Sequence, residues 1–222
     1  MSASVRAAAA EFLGTTALLT VVVGSGIMGE RLSPSNPGVA LLANALATGF
    51  GLYVLITLLG PVSGAHLNPV VTLARILGRD LSLRRAIQYW VAQWAGAIAG
   101  VWLAHLMFEL PLLQASDHAR TGFAQWLSEV VATAGLIVTI AGLSRHAAAQ
   151  TAVAVGAYIA AAYWFTGSTA FANPAVTTAR SLTDTFTGIR PSDTLPFIAA
   201  QLIGLFVGLG LVRAVFGKMQ NE

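Results

Sequence analysis

The sequence contains no cysteine and few charged residues. Of its 222 residues, only 9% are aspartate, glutamate, lysine or arginine. The absence of thiols excludes disulfides, thiolate zinc sites and iron–sulfur clusters. The scarcity of charge, together with a hydrophobic fraction of 56%, is far from the composition of a soluble globular domain. The composition therefore predicts a protein that lies in a lipid bilayer.

The ionisable residues do not form a pattern typical of an enzyme or of a nucleic-acid surface. The formal net charge is only +3, and the basic residues are dispersed between apolar segments. The sequence has no glycine-rich phosphate loop, no clustered carboxylate pair and no histidines at metal-ligand spacing. We therefore expect no enzymatic activity, no cofactor, no metal site and no nucleic-acid partner.

Long intervals without charged residues predict the membrane spans. Two of them, 32–74 and 146–179, are long enough for a full helix followed by a shorter apolar segment. Four others suit one helix of roughly 20 apolar residues each: 12–29, 86–108, 130–144 and 194–212. The sequence therefore predicts an all-α membrane protein with six transmembrane helices and two shorter helices.

One short segment occurs twice in the sequence. Residues 68–75 read Asn-Pro-Val-Val-Thr-Leu-Ala-Arg, and residues 173–180 read Asn-Pro-Ala-Val-Thr-Thr-Ala-Arg. Asparagine is a favourable N-cap and proline is tolerated in the first helical turn, so each Asn-Pro predicts a helix start. Non-helical backbone at membrane depth is tolerated only where it is buried in protein or lines an aqueous cavity. We therefore predict two re-entrant half-helices, with a pathway lined by the preceding loop residues Gly64, Ala65 and His66.

The repeat extends beyond these motifs. Because each half carries three spans, the second copy must be inverted relative to the first. We predict one channel domain over residues 1–222, with inverted repeats at approximately 5–110 and 122–217. Several residues recur at equivalent places, and these pairs are Glu11 and Glu129, Gln93 and Gln201, Gly96 and Gly204, and Gly100 and Gly208.

Glu11 and Glu129 admit two interpretations. An acid within the membrane is by default a functional hypothesis, here proton coupling. Their symmetric placement instead favours a structural role, in which each carboxylate accepts hydrogen bonds from backbone N–H groups that the re-entrant loops leave unpaired.

The basic residues predict cytoplasmic N- and C-termini. With a cytoplasmic N-terminus, four arginines lie outside: Arg31, Arg120, Arg180 and Arg190. Eight basic residues then lie inside: Arg6, Arg75, Arg79, Arg84, Arg85, Arg145, Arg213 and Lys218. This asymmetry agrees with the positive-inside rule.

The paired Asn-Pro motifs resemble those of the aquaporin family, also called major intrinsic proteins, over nearly the whole chain. Residues 62–69 are similar to the glycerol-facilitator branch. The resemblance implies a homotetramer with one pore per subunit, in which the two half-helices meet N-terminus to N-terminus. It places two motifs at the pore centre: Asn68, Pro69 and Val70, and Asn173, Pro174 and Ala175.

The sequence departs from the family where an arginine usually follows the second motif, because Val176 stands there. Counting back from the motifs places the other selectivity-filter positions at Thr48, Ala161 and Ala170, and a shift of two residues would replace Ala161 with Ile159. None of the four first-choice residues is aromatic or charged, which predicts a wide, apolar constriction. Alternatively, Arg180, which would then lie in the outer vestibule, takes over the role of the arginine that the family usually carries after the second motif.

We therefore predict a passive channel for small uncharged solutes in a bacterial inner membrane. The valine and the residues near Arg180 are similar to aquaglyceroporins of bacterial arsenic-resistance operons. That resemblance implies permeation of arsenite, an uncharged trihydroxide at neutral pH, with glycerol-like polyols and water as further solutes. The alternatives are an ordinary water-selective aquaporin and a secondary transporter built on inverted repeats.

Overall fold

The computed structural model describes residues 1–217, apart from the side chains of Arg145 and His146. This part of the chain contains α-helices, one turn of 3-10 helix at Ala148–Gln150, and no β-strand. The expected positions of Lys218 and of the C-terminus lie outside it. The α-helices are α1 (Ala3–Leu32), α2 (Pro37–Ser63), α3 (Pro69–Leu77), α4 (Leu83–Met107), α5 (Phe123–His146), α6 (Thr151–Phe165), α7 (Pro174–Arg180) and α8 (Pro191–Phe216).

The predicted fold class is confirmed. Three of the four single-helix intervals lie within one long helix, α1, α5 or α8, and the fourth, 86–108, extends one residue past the end of α4. The two longer intervals divide as expected, because α2 is followed by the short α3 and α6 by the short α7. Both short helices begin at the proline of an Asn-Pro motif, with the asparagine as N-cap.

Helix α4 differs in composition from the other long helices. Within the described residues, five helices are long and apolar enough to cross a membrane, and α4 is not among them. It has 25 residues, but polar side chains such as Gln93 and His105 lower its hydropathy. Both of these side chains are buried inside the protein, so they are not exposed to lipid.

Glycines on α4 and α8 allow the same close helix packing in both halves. A Cβ atom on Gly96 of α4 would collide with the backbone carbonyl of Phe12 in α1. In the second half, a Cβ atom on Gly204 of α8 would lie 2.6 Å from the carbonyl oxygen of Val130 in α5. Small residues at such positions let helix backbones approach closely.

The two halves also meet directly at a pair of glycines. A Cβ atom on Gly49 of α2 would lie 2.8 Å from the carbonyl oxygen of Gly156 in α6. Outside these contacts the long helices present apolar side chains to the surroundings, such as Phe50, Val91 and Phe206. Continuous apolar surface of this kind is typical of a lipid-facing exterior.

Candidate functional site

The two Asn-Pro motifs cap the two half-helices with their own side chains. Asn68 Oδ1 accepts a hydrogen bond of 2.9 Å from the backbone N–H of Val70. Asn173 Oδ1 accepts bonds of 3.0 Å and 3.3 Å from the N–H groups of Ala175 and Val176. These bonds satisfy donors that a helix start leaves unpaired.

The same two asparagines connect the half-helices to each other. Asn68 Nδ2 donates to the carbonyl oxygen of Ala172 at 2.8 Å, and Asn173 Nδ2 donates to that of Leu67 at 2.8 Å. The N-termini of α3 and α7 therefore meet, each amide reaching the residue that precedes the opposite motif. A carboxamide NH₂ group carries two donors, so each asparagine keeps one N–H for another acceptor.

The loops before the motifs have the same unusual backbone in both halves. Ala65 and Leu67 have φ angles of 45° and 50°, and Ala170 and Ala172 have 48° and 47°. Non-glycine residues in the left-handed region cost about 1–3 kcal/mol each and persist only where the surroundings fix them. Two loops strained in the same pattern therefore need strong anchors.

Glu11 anchors the first loop. Its Oε1 accepts hydrogen bonds from Ser63 Oγ at 2.7 Å and from the backbone N–H of His66 at 2.9 Å. Its Oε2 accepts from the N–H of Leu67 at 2.7 Å and from Gln93 Nε2 at 2.8 Å. The carboxylate therefore satisfies two backbone donors of the re-entrant loop and ties it to α4.

Glu129 anchors the second loop through an equivalent set of partners. Its Oε1 accepts from Ser168 Oγ at 2.6 Å and from the N–H of Phe171 at 2.9 Å. Its Oε2 accepts from the N–H of Ala172 at 2.9 Å and from Gln201 Nε2 at 2.6 Å. Both glutamates are 0% exposed. This geometry favours structural anchoring over proton coupling.

A central cavity of about 260 Å³ contains both asparagines. Residues four apart on one face of each long helix line it, as helical periodicity requires. On α2 these are Thr48, Leu52 and Ile56, and on α6 they are Thr151, Val155, Ile159 and Tyr163. The re-entrant loops also line it, including Gly64, Ala65 and His66. The cavity therefore combines a largely apolar lining with the polar side chains of Asn68, Asn173 and His66.

Four residues predicted at the pore centre lie behind this lining. Pro69, Val70, Pro174 and Ala175 are buried in the first turns of α3 and α7, and none of them lines the cavity. Val71 and Val176, further along the same helices, reach the cavity instead. Of the six motif residues, Asn68 and Asn173 are thus the ones that line the cavity.

The fifth-helix filter position needs a correction. Ala161 is exposed on the outside of α6 and does not line the cavity, because it lies on the helix face opposite Ile159 and Tyr163. The tyrosine hydroxyl lies 3.4 Å from Thr48 Oγ1, so these two side chains contact each other between α6 and α2. The other two predicted filter residues, Ala170 and Val176, do line the cavity.

Arg180 also borders the cavity, at the same end as Val176. It is 2% exposed, its Nε donates to the carbonyl oxygen of Thr187, and its guanidinium lies 3.4 Å from the centroid of the Phe171 ring. The cavity lining therefore includes an aromatic ring, that of Tyr163, and two charged side chains, Arg75 and Arg180, beside the predicted filter residues. That the narrowest point is apolar stays a prediction.

The profile of the major intrinsic protein family matches residues 1–147 and 141–222. The chain belongs to this family. This membership and the apolar helices of the chain show that it is an integral membrane protein.

Known relatives agree with this membership. The chain is 54% identical to the aquaglyceroporin AqpS of Rhizobium meliloti (strain 1021) over 209 residues, which cover 94% of this chain and 89% of the relative. It is 33% identical to the probable aquaporin TIP2-2 of Oryza sativa subsp. japonica, over 63% of this chain and 57% of that protein. The crystal structure of the aquaglyceroporin from Plasmodium falciparum has the same fold, with a TM-score of 0.73, 20% identity, and coverage of 96% and 97% of the two chains.

His66 also lines the central cavity, and neighbouring side chains hold its ring in place. Its Nδ1 lies 3.0 Å from Thr72 Oγ1, and its ring meets the ring of Tyr89 edge to face at 5.2 Å. The equivalent residue in the second loop is Phe171, whose ring meets that of Phe197 at 5.3 Å. The two loops therefore present a polar ring, His66, and an apolar ring, Phe171, to the same cavity.

A second cavity of about 340 Å³ adjoins the Arg180 end, and Arg180 lines both cavities. We call it the outer cavity. Arg120 also lines it, donating from Nε to the carbonyl oxygen of Gly188 at 2.8 Å. Burial lowers the pKa of the Arg120 guanidinium, and the carboxylate of Glu129 opposes this shift.

Sequence reasoning missed both Arg120 and Tyr163 as cavity-lining residues. The available signal for the tyrosine was its spacing of four residues from Ile159.

Proposed function

We propose that this major intrinsic protein is a passive channel for small uncharged solutes. The observation that carries the proposal is the crossed pair of asparagines inside the central cavity, each with one amide N–H left for a passing oxygen. The N-terminus of a helix carries roughly +0.5 elementary charge, and two such ends meet at this point. Cations are therefore repelled where neutral hydroxyl groups are bound.

The cavity lining supports a channel rather than a coupled transporter. Within residues 1–217, no aspartate or glutamate lines the central cavity. Glu11 and Glu129 each use both carboxylate oxygens to hold a loop, so neither is available to carry a proton with the solute. An inverted repeat alone does not require coupling, and we expect no catalytic activity.

Arsenite and related metalloid hydroxides are the leading solutes in this proposal, followed by glycerol-like polyols. The largely apolar lining from α2 and α6 shares the cavity with the amides of Asn68 and Asn173, which suits a molecule with hydroxyl groups and no charge. Val176 stands one helical turn before Arg180, so this position of the lining carries no guanidinium group. The relative AqpS is named an aquaglyceroporin, which supports the glycerol-like polyols of this proposal.

A water-selective channel is the second candidate. Tyr163 and Arg180 bring bulk and a hydrogen-bonding charge to the end of the cavity, and both features narrow a pore. The two candidates differ in the flux of solutes larger than water.

The remaining features of the proposal concern assembly and orientation. We propose that residues 1–222 form one channel domain of inverted repeats and that the protein assembles as a homotetramer in a bacterial inner membrane. Its N- and C-termini are cytoplasmic, which places Arg75 on the cytoplasmic side and Arg180 on the outer side.

Arsenite and glycerol influx into liposomes containing the purified protein tests this function, with osmotic water flow recorded on the same samples. We expect both solutes to enter faster than into empty liposomes and Val176→Arg to reduce their influx at least tenfold, because the added guanidinium narrows the lining. Val176→Ile, which stays apolar, is the matched control and should retain most of the flux. Water flow without influx of either solute would instead assign a water-selective channel.

A further inference from the structure

We propose that the outer cavity is a binding site for oxyanions, of which inorganic phosphate is the simplest representative. The site is built from Arg180 and Arg120, and it goes beyond the passage of neutral solutes. Its ligand is an anion that binds without having to pass through the channel.

Arg180 has unused hydrogen-bonding capacity. Its side chain is 2% exposed and makes one hydrogen bond, from Nε to the carbonyl oxygen of Thr187. The terminal nitrogen Nη1 is buried and has no hydrogen-bond partner. A buried polar group without a partner is costly, and more so when it is charged. Because Arg180 lines both cavities, a small rotation of its guanidinium would let a ligand with oxygen acceptors pair with Nη1 and remove that cost.

Arg120 brings a second positive charge to the same place. Both guanidinium groups lie over the ring of Phe171, Arg180 at 3.4 Å and Arg120 at 5.0 Å from its centroid. Arg120 donates to two backbone carbonyls, those of Gly188 and Ser168. In the described part of the chain, neither arginine forms an ion pair with a carboxylate.

Two buried acids lie near these charges, and neither pairs with the two guanidinium groups. Asp193 accepts from the backbone N–H of Arg120 at 2.8 Å and forms its ion pair with Arg190. The four hydrogen bonds of Glu129 go to Ser168, Phe171, Ala172 and Gln201. Two adjacent cations that share a cavity without a counterion attract an anion from solution.

The rest of the lining suits an oxyanion. Asn44, His118 and Thr169 supply polar side chains, and no acidic side chain from residues 1–217 lines the outer cavity. Planar guanidinium groups bind phosphate-like oxygens through paired, charge-assisted hydrogen bonds. A carboxylate-free cavity with two arginines therefore selects oxyanions over cations.

A bound anion would also affect conduction. Because Arg180 lines both the outer and the central cavity, an anion held by it lies at the junction between them. We expect bound phosphate to slow the passage of neutral solutes through that junction.

Phosphate binding to the purified full-length protein in detergent tests the proposal independently of any flux. The measurement is the thermal unfolding midpoint during titration with sodium phosphate, with sodium chloride at matched ionic strength as the reference, because a ligand that binds the folded state raises this midpoint in a saturable way. We expect saturation for the unmodified protein and about tenfold weaker binding for Arg180→Gln or Arg120→Gln.

Arg31→Gln is the matched control. Arg31 also lies over a phenylalanine ring and donates to a backbone carbonyl, but it does not line the outer cavity. It should bind phosphate like the unmodified protein. The proposal is overturned if phosphate raises the midpoint no more than chloride, or if Arg31→Gln weakens binding as much as Arg120→Gln. Should Arg180→Gln fail to fold, Arg120→Gln alone decides.

Discussion

Replacing Glu11 with glutamine should destabilise the protein strongly, although it only exchanges one carboxylate oxygen for an NH₂ group. The carboxylate accepts four hydrogen bonds, from Ser63 Oγ, Gln93 Nε2 and the backbone N–H groups of His66 and Leu67. A glutamine side chain keeps one acceptor oxygen and places an NH₂ group where the second oxygen was. Gln93 can rotate to present its Oε1, which has no partner in the structure, but the N–H of Leu67 has no such alternative.

The magnitude follows from these contacts. Hydrogen bonds to a charged group contribute about 1.5–3 kcal/mol, neutral ones about 0.5–1.5 kcal/mol, and a buried donor left unsatisfied costs about 1–3 kcal/mol. With three weakened bonds and one orphaned N–H, we expect a loss of about 4–6 kcal/mol in the free energy of unfolding. That is a large part of the total stability of about 5–15 kcal/mol that is typical of a folded protein.

Thermal unfolding of Glu11→Gln in detergent, together with its yield of folded protein, measures this loss. Glu30→Gln is the matched control, because Glu30 lies on the same helix and is exposed; its midpoint should stay unchanged. A Glu11→Gln protein that is as stable as the unmodified one and differs in the pH dependence of its flux would refute structural anchoring and favour proton coupling.

Two further predictions concern the half-helices and the helix packing. Asn173→Ala removes the cap of α7 and the bond to Leu67, and we expect a loss of about 2 kcal/mol or more in stability and a lower glycerol flux; Asn36→Ala, which removes an exposed cap, should leave the flux intact. Gly96→Ala should cost about 1–3 kcal/mol by overpacking against the α1 backbone, whereas Gly210→Ala, with no atom within 4 Å of its Cβ position, should be neutral or stabilising in the same unfolding assay.

Sequence patterns predicted the fold because each pattern had one physical solution. Asn-Pro within a charge-free interval has to begin a helix at membrane depth, and two copies define the inverted halves. The structure places α3 and α7 at these positions. The equivalent positions of Glu11 and Glu129 likewise indicated that the loops would need acceptors for their N–H groups.

The selectivity-lining residues were harder to predict, because a small error in register changes the helix face. Counting back from Asn173 crosses a loop whose backbone includes left-handed residues such as Ala170 and Ala172, and sequence spacing does not reveal how that loop folds. A shift of two residues rotates a helix by roughly 200°. This rotation exchanges Ala161 for the lining residues Ile159 and Tyr163.

The contacts of Arg180 depend on residues distant in sequence. One helical turn separates it from Val176, so sequence spacing could predict that both line the same cavity. Its burial over Phe171 and its closeness to Arg120 arise from the packing of two loops. No short-range pattern connects residue 120 with residue 180.

The central claim is that solutes cross this protein passively. Its most direct test follows the glycerol concentration inside protein-containing liposomes over time. The external glycerol concentration is the same in every sample, and a proton gradient is imposed in one direction or the other. The account predicts that glycerol equilibrates rapidly and stops at equal concentrations whatever the proton gradient. Accumulation above the external concentration that reverses with the gradient would contradict it and identify a coupled transporter.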